Sequence, residues 1–216
     1  MRSKNKFIQI SCDGGAATGK STGAKMISSK YKLKFLSSGL LYRYVSFLIL
    51  KNKPKNLLVF LRKKFKKLNH VKLSKIELHS QEISHLSSII AKKNEIRKIL
   101  KKYQINFSKK YKNCCIEGRD ISTKILPNSD VKFFFKCKLQ IAARRRYYEL
   151  RKKNKKIKLA DVKKALRTRN ILDSKRKYSP LLKHRNSIEI DTGKLSKSAM
   201  LAKMSWHIEK YLKNEK

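Results

Sequence analysis

The sequence predicts an α/β fold, a parallel β-sheet flanked by helices, in which the first strand feeds a phosphate-binding loop. Three observations carry this. Short apolar runs alternate with amphipathic basic segments along the chain. A glycine-rich run of the form G-x-x-x-x-G-K-[ST] comes after the first apolar run and opens a helical pattern. The longest apolar-leaning stretch, Leu40 to Leu50, is broken by Tyr42, Arg43 and Ser46 and falls short of the ~18 or more residues of a membrane span. Strands that alternate with helices imply a parallel sheet covered on both faces.

The elements are taken in chain order. Phe7 to Ser11 is short, apolar and succeeded by Gly14 and Gly15, which reads as a buried strand entering a turn. Lys20 to Lys30 reads as a helix, Leu33 to Leu36 as a strand and Gly39 to Leu50 as a helix. Lys51 to Ile76 is dense in lysine around apolar residues and carries no clear period. Glu82 to Ala91 and Asn94 to Phe107 are helical, the second with Ile96, Ile99, Leu100 and Tyr103 on one face. Cys114 to Ile116 and Val131 to Phe135 are strands. Leu139 to Lys152 and Leu159 to Arg169 are basic helices. Ser187 to Ile190 is a last strand, and Leu195 to Leu212 closes as a helix.

The 216 residues, 40% of them hydrophobic, suit one domain with a sizeable core. The start, Met1 to Lys6, is basic, and the apolar run after it is too short and polar for a signal peptide, so the chain reads as cytoplasmic, without a membrane role. The 57 Lys and Arg against 14 Asp and Glu give a net charge of +43. The lysines are spread along the whole chain, the pattern of a solvated surface, and nonspecific attraction to nucleic acid at low salt is expected from charge alone. Cys12, Cys114, Cys115 and Cys137 form no C-x-x-C pair and have no His at zinc-ligand spacing; they read as small buried hydrophobes.

The loop Gly14-Gly15-Ala16-Ala17-Thr18-Gly19-Lys20-Ser21, with Thr22 next, carries the first chemistry. Its glycines let backbone N–H groups wrap a phosphate, and the helix beyond it adds partial positive charge. Lys20 can reach the β- and γ-phosphates of ATP, and the Ser21 hydroxyl can bind Mg²⁺. The loop establishes nucleotide binding and leaves the reaction open.

Four further blocks narrow the reaction. Leu36 to Arg43 resembles L-D-[ST]-G-x-x-Y-R, and Ser88 to Ala91, Ile96 to Leu100 and Gln104 resemble S-x-V-A … V-R-x-x-L … Q. Glu117 to Thr123 with Pro127 resembles D-G-R-D-[IM]-G-T-x-[VI]-x-P, and Arg169 to Leu181 fits R-x-x-x-D-x-x-R-x-x-[AS]-P-L. Ile190-Asp191-Thr192 fits I-D-[TS]. With the loop, whose pattern is D-G-P-A-G-S-G-K-S, these blocks resemble the bacterial cytidylate kinases over nearly the whole chain.

The resemblance implies a nucleoside monophosphate kinase-like P-loop fold and ATP- and Mg²⁺-dependent phosphorylation of CMP or dCMP. It implies that Ser38, Arg43, Arg119, Arg169, Asp173 and Arg176 hold the acceptor's sugar and phosphate and the transferred group, and that Ser88, Arg97 and Asp120 hold the cytosine base. Lys20, Arg119, Arg169 and Arg176 would be catalytic. Arg145 and Arg146 would belong to a lid spanning 142–170, and 51–92 to a reduced CMP-side subdomain in place of the family's β-rich insertion. A monomer is expected. The base chemistry agrees: cytosine offers an amino donor beside two acceptors, which a carboxylate, a hydroxyl and a guanidinium can meet. Uracil would set O4 against the carboxylate.

The departures are Gly15 for proline, Ala17 for glycine, Glu117 for aspartate, Ser122 for glycine and Asn186 for an acidic residue. If position 122 needs a positive φ, Ser122 would be strained. Alternatives left open are a P-loop kinase for another small acceptor, a P-loop protein associated with nucleic acid, and an inactive relative.

Overall fold

The computed structural model describes residues 7–152 and 154–214. The basic run Met1 to Lys6 lies outside them. Among the described residues, β1 (Gln9–Gly14), β2 (Lys34–Ser37), β3 (Cys114–Gly118), β4 (Val131–Lys136) and β5 (Ile188–Asp191) form one parallel sheet in the order β2-β3-β1-β4-β5. β1 is central, with Ile10 opposite Cys115 on one side and Val131 on the other. It begins two residues later than the apolar run suggests, with Phe7 exposed and Ile8 buried ahead of it, and it continues to Gly14.

The helices are α1 (Lys20–Lys30), α2 (Ser38–Asn52), α3 (Leu57–Lys66), α4 (Gln81–Ile90), α5 (Asn94–Lys110), α6 (Leu139–Arg151), α7 (Leu159–Lys175) and α8 (Lys197–Asn214). Side-chain caps start several of them: Ser37, Asn56 and Ser80 accept from the backbone N–H groups of Leu40, Val59 and Ile83. The unassigned stretch 51–76 holds α3 and a 3₁₀ turn at His70–Lys75. Leu61 and Phe65, four residues apart, are buried, while Arg62, Lys63, Lys64 and Lys66 face solvent. The lysines hid this stripe in the sequence.

The sheet divides two cores. One side holds Leu41, Val45, Leu61, Phe65, Leu100 and Ile116; the other holds Ile10, Ala24, Ile27, Phe133, Met204 and Ile208. The period of two along β3 sends Cys114 to the first core and Cys115 to the second, and all four cysteines are free thiols. A third, small core lies between α6 and α7, where Ala142, Ala143, Val162 and Leu166 pack with Ala16 of the phosphate loop. The fold class is the one the sequence predicts. No helix among the described residues is long and apolar enough to cross a membrane.

Candidate active site

The site lies at the carboxyl ends of the strands. β1 delivers Asp13 and Gly14 there, and the loop from Gly14 to Gly19 turns into α1 at Lys20. Gly14 has φ 154°, and a Cβ there would collide with the Phe135 carbonyl of β4. Gly19 has φ 80° and packs against Thr192, so both positions require glycine. Ala17 holds φ 56° in the left-handed region. The glycine of the family pattern was therefore more than a small residue, and its loss strains the loop.

Lys20 folds over the loop and donates to the Gly15 carbonyl at 3.3 Å, while Thr18 Oγ1 donates to the same oxygen at 3.0 Å. Lys20 is buried, with Glu117 Oε2 at 3.7 Å. Burial first, then the positive charges of Arg119 and Arg169, push its pKa down to about 7. The Ser21 hydroxyl at the start of α1 makes no hydrogen bond among the described residues, while Thr22 is exposed.

β3 delivers Glu117 and Gly118, and the chain then presents Arg119 and Asp120. Asp120 and Arg97 of α5 form a buried pair, Nη2 to Oδ2 at 2.5 Å. Arg176 Nη2 lies 3.6 Å from the other oxygen of Asp120. Arg119 Nε donates to Asp173 Oδ2 at 2.7 Å, and Arg176 Nη1 reaches Asp173 Oδ1 at 3.4 Å. Five of the residues named from the sequence thus form one network in which guanidinium and carboxylate alternate. The arginines beside it hold Asp173 below the usual carboxylate range despite its burial.

Two further arginines lack such partners. Arg43 donates from Nη1 to the Leu78 carbonyl at 2.9 Å and to Ser84 Oγ at 2.6 Å. Arg169 has a buried Nε without a hydrogen-bond partner among the described residues. Burial pushes each pKa down to about 10; the positive charge of Arg146 comes next for Arg43, and that of Arg119 for Arg169. Cations held this close without matching carboxylates make a site for a polyanion.

Ser38 is buried at the start of α2 beside Gly118. Ser88 turns back on its own helix and donates to the His85 carbonyl at 2.6 Å; no hydrogen bond among the described residues joins it to Arg97 or Asp120. The two arginines expected in a lid part company. Arg146, paired with Glu149 at 3.0 Å, is the one whose charge is felt at Arg43 and Arg169. Arg145 instead donates to Thr192 Oγ1 at 3.1 Å and to its carbonyl at 2.8 Å.

Ser122 does not have the positive φ that the family's glycine suggested. Its N–H and hydroxyl donate to Asp13 Oδ2 at 2.7 and 2.6 Å, and the Ile121 N–H donates to Oδ1 at 2.8 Å. Burial nevertheless lifts the Asp13 pKa to about 6. Glu117 accepts from the Ser37 hydroxyl, its partner in register across β2 and β3. Asn186 is exposed, with its N–H on His184 Nδ1 at 3.1 Å.

The sequence reading gave no role to Asp13, Ser37, Ser84, Asn170 or Thr192. A charged residue ending an otherwise apolar strand was the available signal for Asp13. Ser37 and Ser84 meet the side chains of Glu117 and Arg43, and Asn170 and Thr192 meet backbone atoms of the loop, as when Thr192 Oγ1 donates to the Thr18 carbonyl at 2.8 Å; these pairings join residues distant in sequence.

The cytidylate kinase family model matches residues 10–210. The chain belongs to the cytidylate kinase family. The cytidylate kinase of Rickettsia rickettsii is 34% identical over 210 residues, covering 95% of this chain and 92% of the relative. That of Bartonella tribocorum is 36% identical over 202 residues, covering 91% and 92%. Two solved structures share the fold at low identity. One, an uncharacterized protein from Eubacterium ventriosum, has a TM-score of 0.55 at 14% identity and covers 95% of this chain and 99% of its own. The other, from Thermus thermophilus, has a TM-score of 0.54 at 13% identity and covers 96% and 99%.

Proposed function

We propose that this chain transfers the γ-phosphoryl group of ATP to CMP and dCMP. The observation that carries the reading is the junction of two arrangements: the buried Arg97–Asp120 pair beside the phosphate-facing cations Lys20, Arg43, Arg119 and Arg169. The first suits a base that offers both donor and acceptors; the second suits several phosphates.

The loop N–H groups and Lys20 hold the donor triphosphate. Arg43, Arg119 and Arg169 hold the acceptor phosphate in line with the γ-phosphorus. An acceptor oxygen forms the new P–O bond while the bond to the β–γ bridging oxygen breaks, and its electron pair leaves with ADP. The acceptor phosphate is anionic near neutral pH, so no strong general base is needed, and catalysis is positioning and charge stabilisation. Arg176, held by Asp173 and Asp120, steadies the transferred group. Arg146 approaches from the lid, 142–170, whose closure would exclude water. The segment 51–92 forms the CMP side, where Ser84 and Leu78 orient Arg43.

The residues present fit Mg²⁺. This ion takes one or two protein oxygens and fills its shell with phosphates and water, so the uncommitted Ser21 hydroxyl suffices without a protein cage. When bound, it would neutralise negative charge on the donor's phosphates. In this reading the protein is a cytoplasmic monomer, and its basic surface attracts nucleic acid only nonspecifically.

The test is ADP formation with ATP·Mg²⁺ and, separately, CMP, dCMP, UMP, AMP and GMP. Turnover with CMP and dCMP, and at least ~10²-fold less with the others, is expected. ATP binding without transfer to any acceptor would overturn the reading and favour a P-loop protein of another kind.

A further inference from the structure

α7 brings residues of two sites onto adjacent positions. Arg169, Asp173 and the capping residue Arg176 serve the phosphate and acceptor network described above. Asn170, between them and three residues before Asp173, points elsewhere: its Oδ1 accepts the backbone N–H of Ala16, in the phosphate loop, at 3.0 Å. Ala16 is buried in the small core with Val162 and Leu166 of the same helix. The approach depends on Gly15, where an added Cβ would meet Asn170 Oδ1 at 3.2 Å and Cγ at 3.6 Å. The proline of the family pattern would place a ring carbon in that space, so Gly15 and Asn170 fit each other in this chain.

We propose that Asn170 is a positioning residue that couples the acceptor site to the ATP loop. The inference rests on the reading of the chain as a CMP kinase. Residues three apart on a helix lie on one face, so a shift of α7 that adjusts Asp173 and Arg119 to an acceptor also moves the Asn170 carboxamide. The Ala16 N–H must move with it or lose its partner, which would leave a buried donor unsatisfied. The coupling is reciprocal: a triphosphate that sets the loop sets α7 and, through it, Asp173 and Arg169. A neutral carboxamide does this without adding negative charge beside the triphosphate.

The test is calorimetric CMP binding to the full chain, with and without a saturating non-hydrolysable ATP analogue. For the natural protein the analogue should tighten CMP binding by about fivefold or more. Asn170→Ala should bring that factor close to one and leave binary CMP affinity within about twofold. Asn170→Asp keeps the acceptor and should keep the factor, while weakening the analogue in a salt-dependent way. A purely structural role would lower the unfolding temperature of Asn170→Ala and leave the factor intact. Equal CMP affinities in the natural protein, an unchanged factor in Asn170→Ala, or a lost factor in Asn170→Asp would each overturn the coupling. CMP binding by the natural protein without any coupling would overturn this inference alone; no CMP binding at all would overturn the functional reading with it.

Discussion

The two halves of the phosphate-handling site are built on opposite electrostatic terms. On the acceptor side, Arg97, Arg119 and Arg176 each meet a carboxylate of Asp120 or Asp173. Among the other cations of the site, Lys20 has a single carboxylate at 3.7 Å, Arg43 hydrogen-bonds neutral oxygens, and Arg169 Nε has no partner among the described residues. The first half is a network of paired charges that fixes a shape, although the buried Arg176 Nη2 has no hydrogen-bond partner among the described residues. The second is a cluster of cations under mutual repulsion, held together by the fold, and phosphates would supply the missing charge. Removing an arginine from the first half should cost stability, and removing a cation from the second should cost turnover without costing stability.

Lys20→Ala separates them most strongly. It should reduce turnover by ~10³-fold or more while far-UV circular dichroism and cooperative unfolding persist, because it removes a repelled charge from the frustrated half. Near-normal turnover would dissolve the distinction.

The depressed Lys20 pKa gives a second, smaller effect. With a value of about 7, Lys20 is mostly neutral in the free protein at pH 8. A bound triphosphate raises that pKa, so ATP binding at pH 8 should take up close to one proton, and at pH 6 almost none. ATP affinity should therefore fall as pH rises above about 7. Titration calorimetry in buffers of different ionisation enthalpy reads the uptake directly, and Lys20→Met should abolish it.

The smallest effect concerns the loop backbone. Ala17→Gly removes the left-handed strain at φ 56° and should raise stability by about 0.5–1 kcal/mol after the entropic cost of glycine. Thermal unfolding of the free protein checks this, and a loss of stability would show that the Ala17 methyl packs more than it strains.

How much of this could be read from the sequence depended on how local the signal was. The loop lies on consecutive residues and was legible outright, as were α1 and the strands whose apolar runs the sheet buries. Arg97, Asp120, Arg119, Asp173 and Arg176 were named as site residues from the resemblance of their motifs to the family's, and the fold brings them together. Their pairing was not legible, since it depends on how α5, α7 and the end of β3 meet. α3 was obscured because its buried stripe is only Leu61 and Phe65 among lysines. Whether Ser122 is strained was left conditional on a positive φ, which it does not have, and its bond to Asp13 could not be read because that carboxylate lies 109 residues away.

The central claim is most directly tested by measuring thermal unfolding and turnover together on Arg169→Met and Arg97→Met. Arg169→Met should lose turnover by ~10³-fold with unfolding temperature unchanged or raised. Arg97→Met should lose about 3–5 kcal/mol of stability, because it strips the buried Asp120 carboxylate of its close partner. The reverse pattern, with Arg169→Met destabilised and Arg97→Met as stable as the natural protein, would contradict the division between the two halves.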